Sequence, residues 1–137
     1  MLSAPIVAIA ANSPFFFGHA LWHETRIPIF EQALEQGGES ADGSFHRVTF
    51  GSCYACKDLT NLFLENLSEY PVILPMAGKG DAGRFPCLLM HNGTIWSWNR
   101  PLVGFDEDGT PHLRIEHRAM PAGPSVPDMM ANAALYY

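Results

Sequence analysis

The stretch His112–Arg118, HLRIEHR, is where residue type and spacing first suggest chemistry. Side chains alternate faces along a strand, and successive members of one row sit about 7 Å apart. Leu113, Ile115 and His117 then share one face, and His112, Arg114, Glu116 and Arg118 share the other. The second face sets a carboxylate between two guanidinium groups on a rigid element. Phosphoryl transfer uses such a set. Arginine forks hold phosphate oxygens. A glutamate can hold the Mg²⁺ that bridges them, and groups already in place stabilise the moving charge. The plainer alternative is a solvated strand face carrying a cross-strand salt ladder.

Further candidates lie upstream. In Trp96-Ser97-Trp98-Asn99-Arg100-Pro101, Arg100 falls on the same face as Trp96 and Trp98. A tryptophan can fix the direction of an arginine by a cation–π contact. The alternative is a tryptophan pair at the core edge beside a surface arginine. Asn12-Ser13-Pro14-Phe15 is a polar turn after an apolar run, able to position substrate groups or merely to stop a helix. Arg26 sits at a helix start, where the dipole disfavours positive charge, and this hints at a ligand role. Cys53 and Cys56 form a lone CxxC, which would need His46, Cys87 or His91 to complete a zinc site. Two incidental buried thiols are the simpler reading. Gly78–Gly83 lacks the Lys-Ser/Thr spacing of a phosphate-binding P-loop. The six histidines show no HExxH spacing, so most are expected to be packing or surface residues.

The elements that must position these residues follow from pattern. Leu2–Ala11 is apolar on every side, which predicts a buried helix with no capped start. Thr25 is placed to cap a helix with Pro28 in its first turn and Ile27, Phe30 and Leu34 at helical spacing, ended by Gly37-Gly38. Phe45–Phe50 suggests a short strand. Asp58 can cap a helix whose apolar face is Leu59, Leu62, Phe63 and Leu67. Pro71–Pro75 reads as a buried extended segment, and Ala77–Gly83 as a flexible loop. Ile95–Val103 and His112–Arg118 read as strands joined through an Asp108-Gly109 turn, giving an antiparallel hairpin. Ser125 and Asp128 form a capping box for a last helix with Val126, Met129, Met130, Ala133, Ala134 and Tyr137 on its apolar side.

The chain has 137 residues, 47% of them apolar and only 16% charged, against about 25% charged in ordinary domains. So few charges imply that part of the surface meets another subunit or more chain. A homo-oligomer formed through exposed apolar surface is expected. The net charge of −6 and the scatter of its eight Lys and Arg give no basic patch for nucleic acid or an anionic membrane. The apolar run Ala4–Ala11 is far shorter than the ~20 residues of a membrane span. Three cysteines fit a reducing cytoplasm. The first helix without a start and the last without a stop suggest an internal piece of a longer protein.

Several stretches together resemble the glutamate–cysteine ligases. Ala8–Phe15 is similar to that family's ALSANSPF segment, and Leu21–Arg26 to the stretch after it. Asn92–Pro101 resembles the GTIWxWNRP strand of a proteobacterial branch, and His112–Arg118 its HLRIEHR strand. The final helix resembles its ANAA continuation. The resemblance spans most of the chain and is weakest between Gly37 and Gly83. It implies an α+β fold, part of a glutamine-synthetase-like catalytic domain with antiparallel strands packed on helices, over residues 1–137. The implied reaction joins the γ-carboxylate of glutamate to an amine, cysteine by default, through γ-glutamyl phosphate, with ATP and Mg²⁺ as cofactors. By motif, Glu116 would be a Mg²⁺ ligand, Arg118 a catalytic phosphate contact, Arg100 a second catalytic residue contacting phosphate or glutamate, and Arg26 and Asn12 substrate contacts. Arg114 joins the phosphate-binding set from its place on the strand face alone. The family's upstream acidic strands have no counterpart here, so the chain by itself is expected to be inactive. A non-catalytic, self-associating module that keeps part of the ligase fold is the alternative.

Overall fold

The computed structural model describes residues 3–34, 47–51, 58–75 and 80–137. The Cys53–Cys56 pair, His46, Lys79 and the Gly37-Gly38 helix end lie outside the described residues.

Helix α1 (Ser3–Ala10) buries Ser3, Ile6, Val7 and Ala10, the i, i+3, i+4, i+7 stripe of one face. Its other side is open, with Ile9 71% exposed. The expectation of a helix buried all round is therefore corrected to one buried face. After Asn12–Pro14 the chain makes a small hairpin, β1 (Phe15–Phe16) against β2 (His19–Ala20). Its turn residues Phe17 (φ 48°) and Gly18 (φ 80°) both have positive φ, as tight hairpin turns require. Helix α2 (Arg26–Leu34) follows. Thr25 precedes it, but its hydroxyl turns back to the carbonyl and amide of Trp22 rather than forward onto the helix.

Strand β3 (Val48–Thr49) pairs in parallel with β4 (Trp96–Ser97). Between them lie helix α3 (Thr60–Glu69) and helix α4 (Pro86–Gly93). Asp58 Oδ1 accepts from the amides of Thr60 and Asn61, the N-terminal service expected of it. Helix α4 was not anticipated; Pro86 stands in its first turn and Phe85 enters it with φ 50°. The segment 71–75 is exposed at Val72, Ile73 and Leu74, so the reading of it as buried is corrected. Buried amides tie α3 and α4 to the hairpin. Asn66 Nδ2 donates to Asn92 Oδ1 at 2.9 Å, and Asn92 Nδ2 to the Pro101 carbonyl at 2.7 Å.

Strands β5 (Asn99–Phe105) and β6 (Pro111–His117) form the long antiparallel hairpin. Gly109 takes φ 85° in its turn, and the Asp106 amide closes on the Thr110 carbonyl at 3.0 Å. Helix α5 (Val126–Tyr136) starts at Ser125, whose hydroxyl accepts from the Asp128 amide. It buries no residue; Val126, Met129, Met130 and Leu135 are exposed.

The core gathers Val7, Val48, Trp98 and Ala119, with Ile27, Phe30, Phe50 and Trp96 packed on it. The class is α+β, and the sheets among the described residues are each two-stranded. Among those residues no helix is long and apolar enough to cross a membrane.

Candidate functional site

Hairpin register brings the chemistry together. Arg100 faces Glu116, Leu102 faces Arg114 and Gly104 faces His112. One row of the hairpin therefore carries Arg100, His112, Arg114 and Glu116. Arg118 follows the end of β6. Glu116 Oε2 accepts from Arg100 Nε and Nη2, each at 3.0 Å, and from Arg118 Nε at 2.8 Å. The three side chains are 20%, 38% and 18% exposed for Arg100, Glu116 and Arg118. Two cations thus share one carboxylate oxygen, leaving the cluster a net positive charge. Oε1 has no hydrogen-bond partner among the described residues.

Arg118 is aimed from behind. Its guanidinium lies 4.2 Å from the Trp96 ring centroid, and Trp96 is itself stacked on Phe30 at 4.2 Å. Its amide donates to the Trp98 carbonyl at 2.8 Å. Its Nη1 is buried with no hydrogen-bond partner, a costly state for a charged donor that the face of the Trp96 ring partly offsets. Sequence reasoning paired the tryptophans with Arg100. In the structure Trp96 takes Arg118, and the fully buried Trp98 takes Arg26 at 5.1 Å. The reason is the break at Trp98 between β4 and β5. Strict alternation does not carry across such a break.

Arg26 and Asn12 both brace the backbone that follows β6. Arg26 Nη1 donates to the Arg118 carbonyl at 3.2 Å, and Nη2 to that of Ala119 at 2.8 Å. Its Nε meets Glu24 Oε1 at 3.1 Å. Asn12 Nδ2 donates to the carbonyls of Ala10 and Ala122, at 3.2 and 2.7 Å. Their donors hold the segment Arg118–Ala122 in place.

On the opposite side of β6, hydrogen bonding sets the tautomer of His117. Asn99 Nδ2 donates to Ser3 Oγ, so Asn99 Oδ1 faces His117 Nδ1 at 2.8 Å. Nδ1 must then carry the proton, and Nε2 is a bare lone pair, buried without a partner. Burial holds the His117 pKa below the ordinary imidazole value. Tyr136 of α5 stacks on the ring at 4.3 Å.

Compared with known proteins, the chain matches no family model, no curated protein and no solved structure. Its own geometry therefore carries the functional argument.

That geometry also bears on cofactors. Among the described residues, no group of three or more His, Cys, Asp or Glu is placed to hold a metal ion. Mg²⁺ commonly keeps several waters and binds through one or two carboxylates plus substrate phosphates. The open Oε1 of Glu116 fits an ion that arrives with a nucleotide, and does not suffice for a resident metal. Cys87 is exposed and free. His91 is buried against the Asn66 carbonyl through Nε2 at 3.0 Å, as an ordinary packing histidine would be.

Sequence reasoning missed a second grouping at the turn end of the same row. His112 Nδ1 lies 3.1 Å from Asp106 Oδ1. A Cβ on Gly104 would run into the His112 ring and stand 2.8 Å from Arg114 Nη2. The available signal was a glycine standing opposite a histidine once the Asp-Gly turn fixes the register.

Proposed function

We propose that this chain supplies one wall of the nucleotide site of an ATP-dependent carboxylate–amine ligase with a glutamine-synthetase-like catalytic fold. The substrates on this reading are glutamate and an amine, with cysteine as the default amine. One observation carries it: Arg100 and Arg118 converge on a single oxygen of Glu116, with Arg118 backed by an aromatic stack. Two guanidinium groups held in place beside a carboxylate supply the positioned charge that phosphoryl transfer uses, and phosphate would bind at the edges that Glu116 leaves free. Arg118 and Arg100 would hold phosphate oxygens. Glu116 Oε1 would take the Mg²⁺ that accompanies ATP, and that ion would neutralise phosphate charge. Arg26 holds the Arg118 and Ala119 carbonyls and Asn12 that of Ala122; on this reading both would also contact substrate.

The reading is tested by ligand-observed magnetic resonance with ATP and Mg²⁺ added together. Saturation transfer from the chain to ATP is expected, and its loss in Arg118→Gln. No transfer, or transfer unchanged in that variant, would remove the reading.

The self-associating module remains the second reading, favoured by the exposed Val126, Met129, Met130 and Leu135 of α5 and by Phe15 and Phe17 of the first hairpin. Apolar patches of this kind mark association surfaces. A chain that dimerises and binds no ATP would support it.

A further inference from the structure

We infer that the turn end of the long hairpin is a second oxyanion site, made by Arg114 and His112 and selective for phosphate-type ligands. The site lies toward the turn from the Arg100–Glu116–Arg118 cluster; it gives Arg114, read from the sequence as one of the phosphate-binding set, a ligand of its own and does not rest on the ligase reading.

Three arginines, Arg100, Arg114 and Arg118, stand on one side of the hairpin. Glu116 takes Arg100 and Arg118. Arg114 is exposed and has no partner among the described residues. Its planar fork is therefore open, in the form that suits tetrahedral oxyanions. Beside it, His112 lies across Gly104, where a side chain would collide with both groups. Asp106 at the end of β5 accepts from His112 Nδ1 at 3.1 Å. That bond orients the ring and fixes the proton on Nδ1, leaving Nε2 toward the Arg114 side of the glycine. Gly104 and Asp106 are thus positioning residues, and His112 and Arg114 the binding pair.

The chemistry of Nε2 chooses the ligand. A phosphate monoester has a second ionisation near pH ~6, so around neutrality it still carries a P–O–H that can donate to Nε2. One proton can then be shared between Nε2 and a phosphate oxygen. Sulfate has the same shape but no proton to share near neutrality, and a carboxylate has neither the shape nor the proton. Glu107 and Asp108 stand in the adjoining turn, so anion affinity there is limited by their charge.

The test titrates inorganic phosphate, sulfate and acetate into the whole chain, following the Arg114 Nε–H and His112 ring resonances. Phosphate is expected to move both sets, and to bind about tenfold more tightly than sulfate, the worth of one charge-assisted hydrogen bond. Arg114→Gln should weaken phosphate about tenfold or more. Gly104→Ala should do the same by displacing the ring. If that variant folds poorly, Asp106→Ala is the second arm: the turn is exposed, and the phosphate-to-sulfate ratio should fall toward one even as general anion affinity rises. Glu107→Gln should tighten binding of all three anions. Equal affinity for sulfate and phosphate, acetate binding as well as phosphate, or shifts confined to Arg100 and Arg118 would each overturn the inference.

Discussion

Removing the charge of Glu116 leaves two largely buried guanidinium groups facing one another across a hairpin. Each gives up a charge-assisted hydrogen bond, but the carboxylate is partly exposed and solvent screens the loss. Glu116→Gln is therefore expected to cost about 1 kcal/mol, read as a lower urea midpoint at unchanged slope. His117 gives a residue-scale prediction of opposite origin. Burial lowers its pKa from the ordinary 6.5. On acidification the unfolded chain takes its proton near that ordinary value, while the folded chain takes it only at lower pH. Within that window the unfolded state binds more protons, so stability falls as pH drops. The contribution is fully present above the ordinary value and is gone below the folded one. Urea unfolding from neutral to mildly acid pH should show this decline, and His117→Phe should flatten it. The same pH dependence in both proteins would refute the assignment.

At the scale of elements, caps and turns are the parts whose cost is easiest to forecast. Asp58→Ala removes the acceptor for the Thr60 and Asn61 amides and should cost about 1 kcal/mol. Gly109→Ala forces a side chain onto φ 85°, at about 1 kcal/mol or more, with thermal unfolding as the measure. Elements with local signals were legible in the sequence. The long hairpin followed from alternation on both sides of Asp108-Gly109, and α5 from the Ser125–Asp128 box. Alternation also set Glu116 and Arg118 on one face of the second strand, while the meeting of Arg100 with Glu116 came from a register that alternation alone does not fix. Elements set by distant contacts were not legible. The parallel pairing of Val48–Thr49 with Trp96–Ser97 joins segments far apart in sequence. Helix α4 lacks periodic spacing and is held through buried His91 and Asn92. The choice of Arg118 and Arg26 as tryptophan partners depends on the strand break at Trp98, which no local pattern announces.

Over the whole molecule, the unburied face of α5 and the aromatic tip of the first hairpin stand out. A helix that buries none of its residues owes its position to few contacts, the Tyr136–His117 stack among them. Met130→Glu should therefore leave the unfolding midpoint almost unchanged, while reducing any concentration-dependent increase in mass seen by sedimentation. A drop in stability as large as a core substitution would show that this face is buried within the chain. The glutamate–cysteine ligase reading makes a separate demand, since its central claim is that Glu116 and its two arginines meet a nucleotide and its ion. Calorimetric titration of ATP into the wild-type chain and into Glu116→Gln, with and without Mg²⁺, tests that most directly. The account predicts Mg²⁺-dependent binding that weakens about tenfold or more in the variant. No binding to the wild-type chain, or binding indifferent to both Mg²⁺ and the substitution, would contradict it.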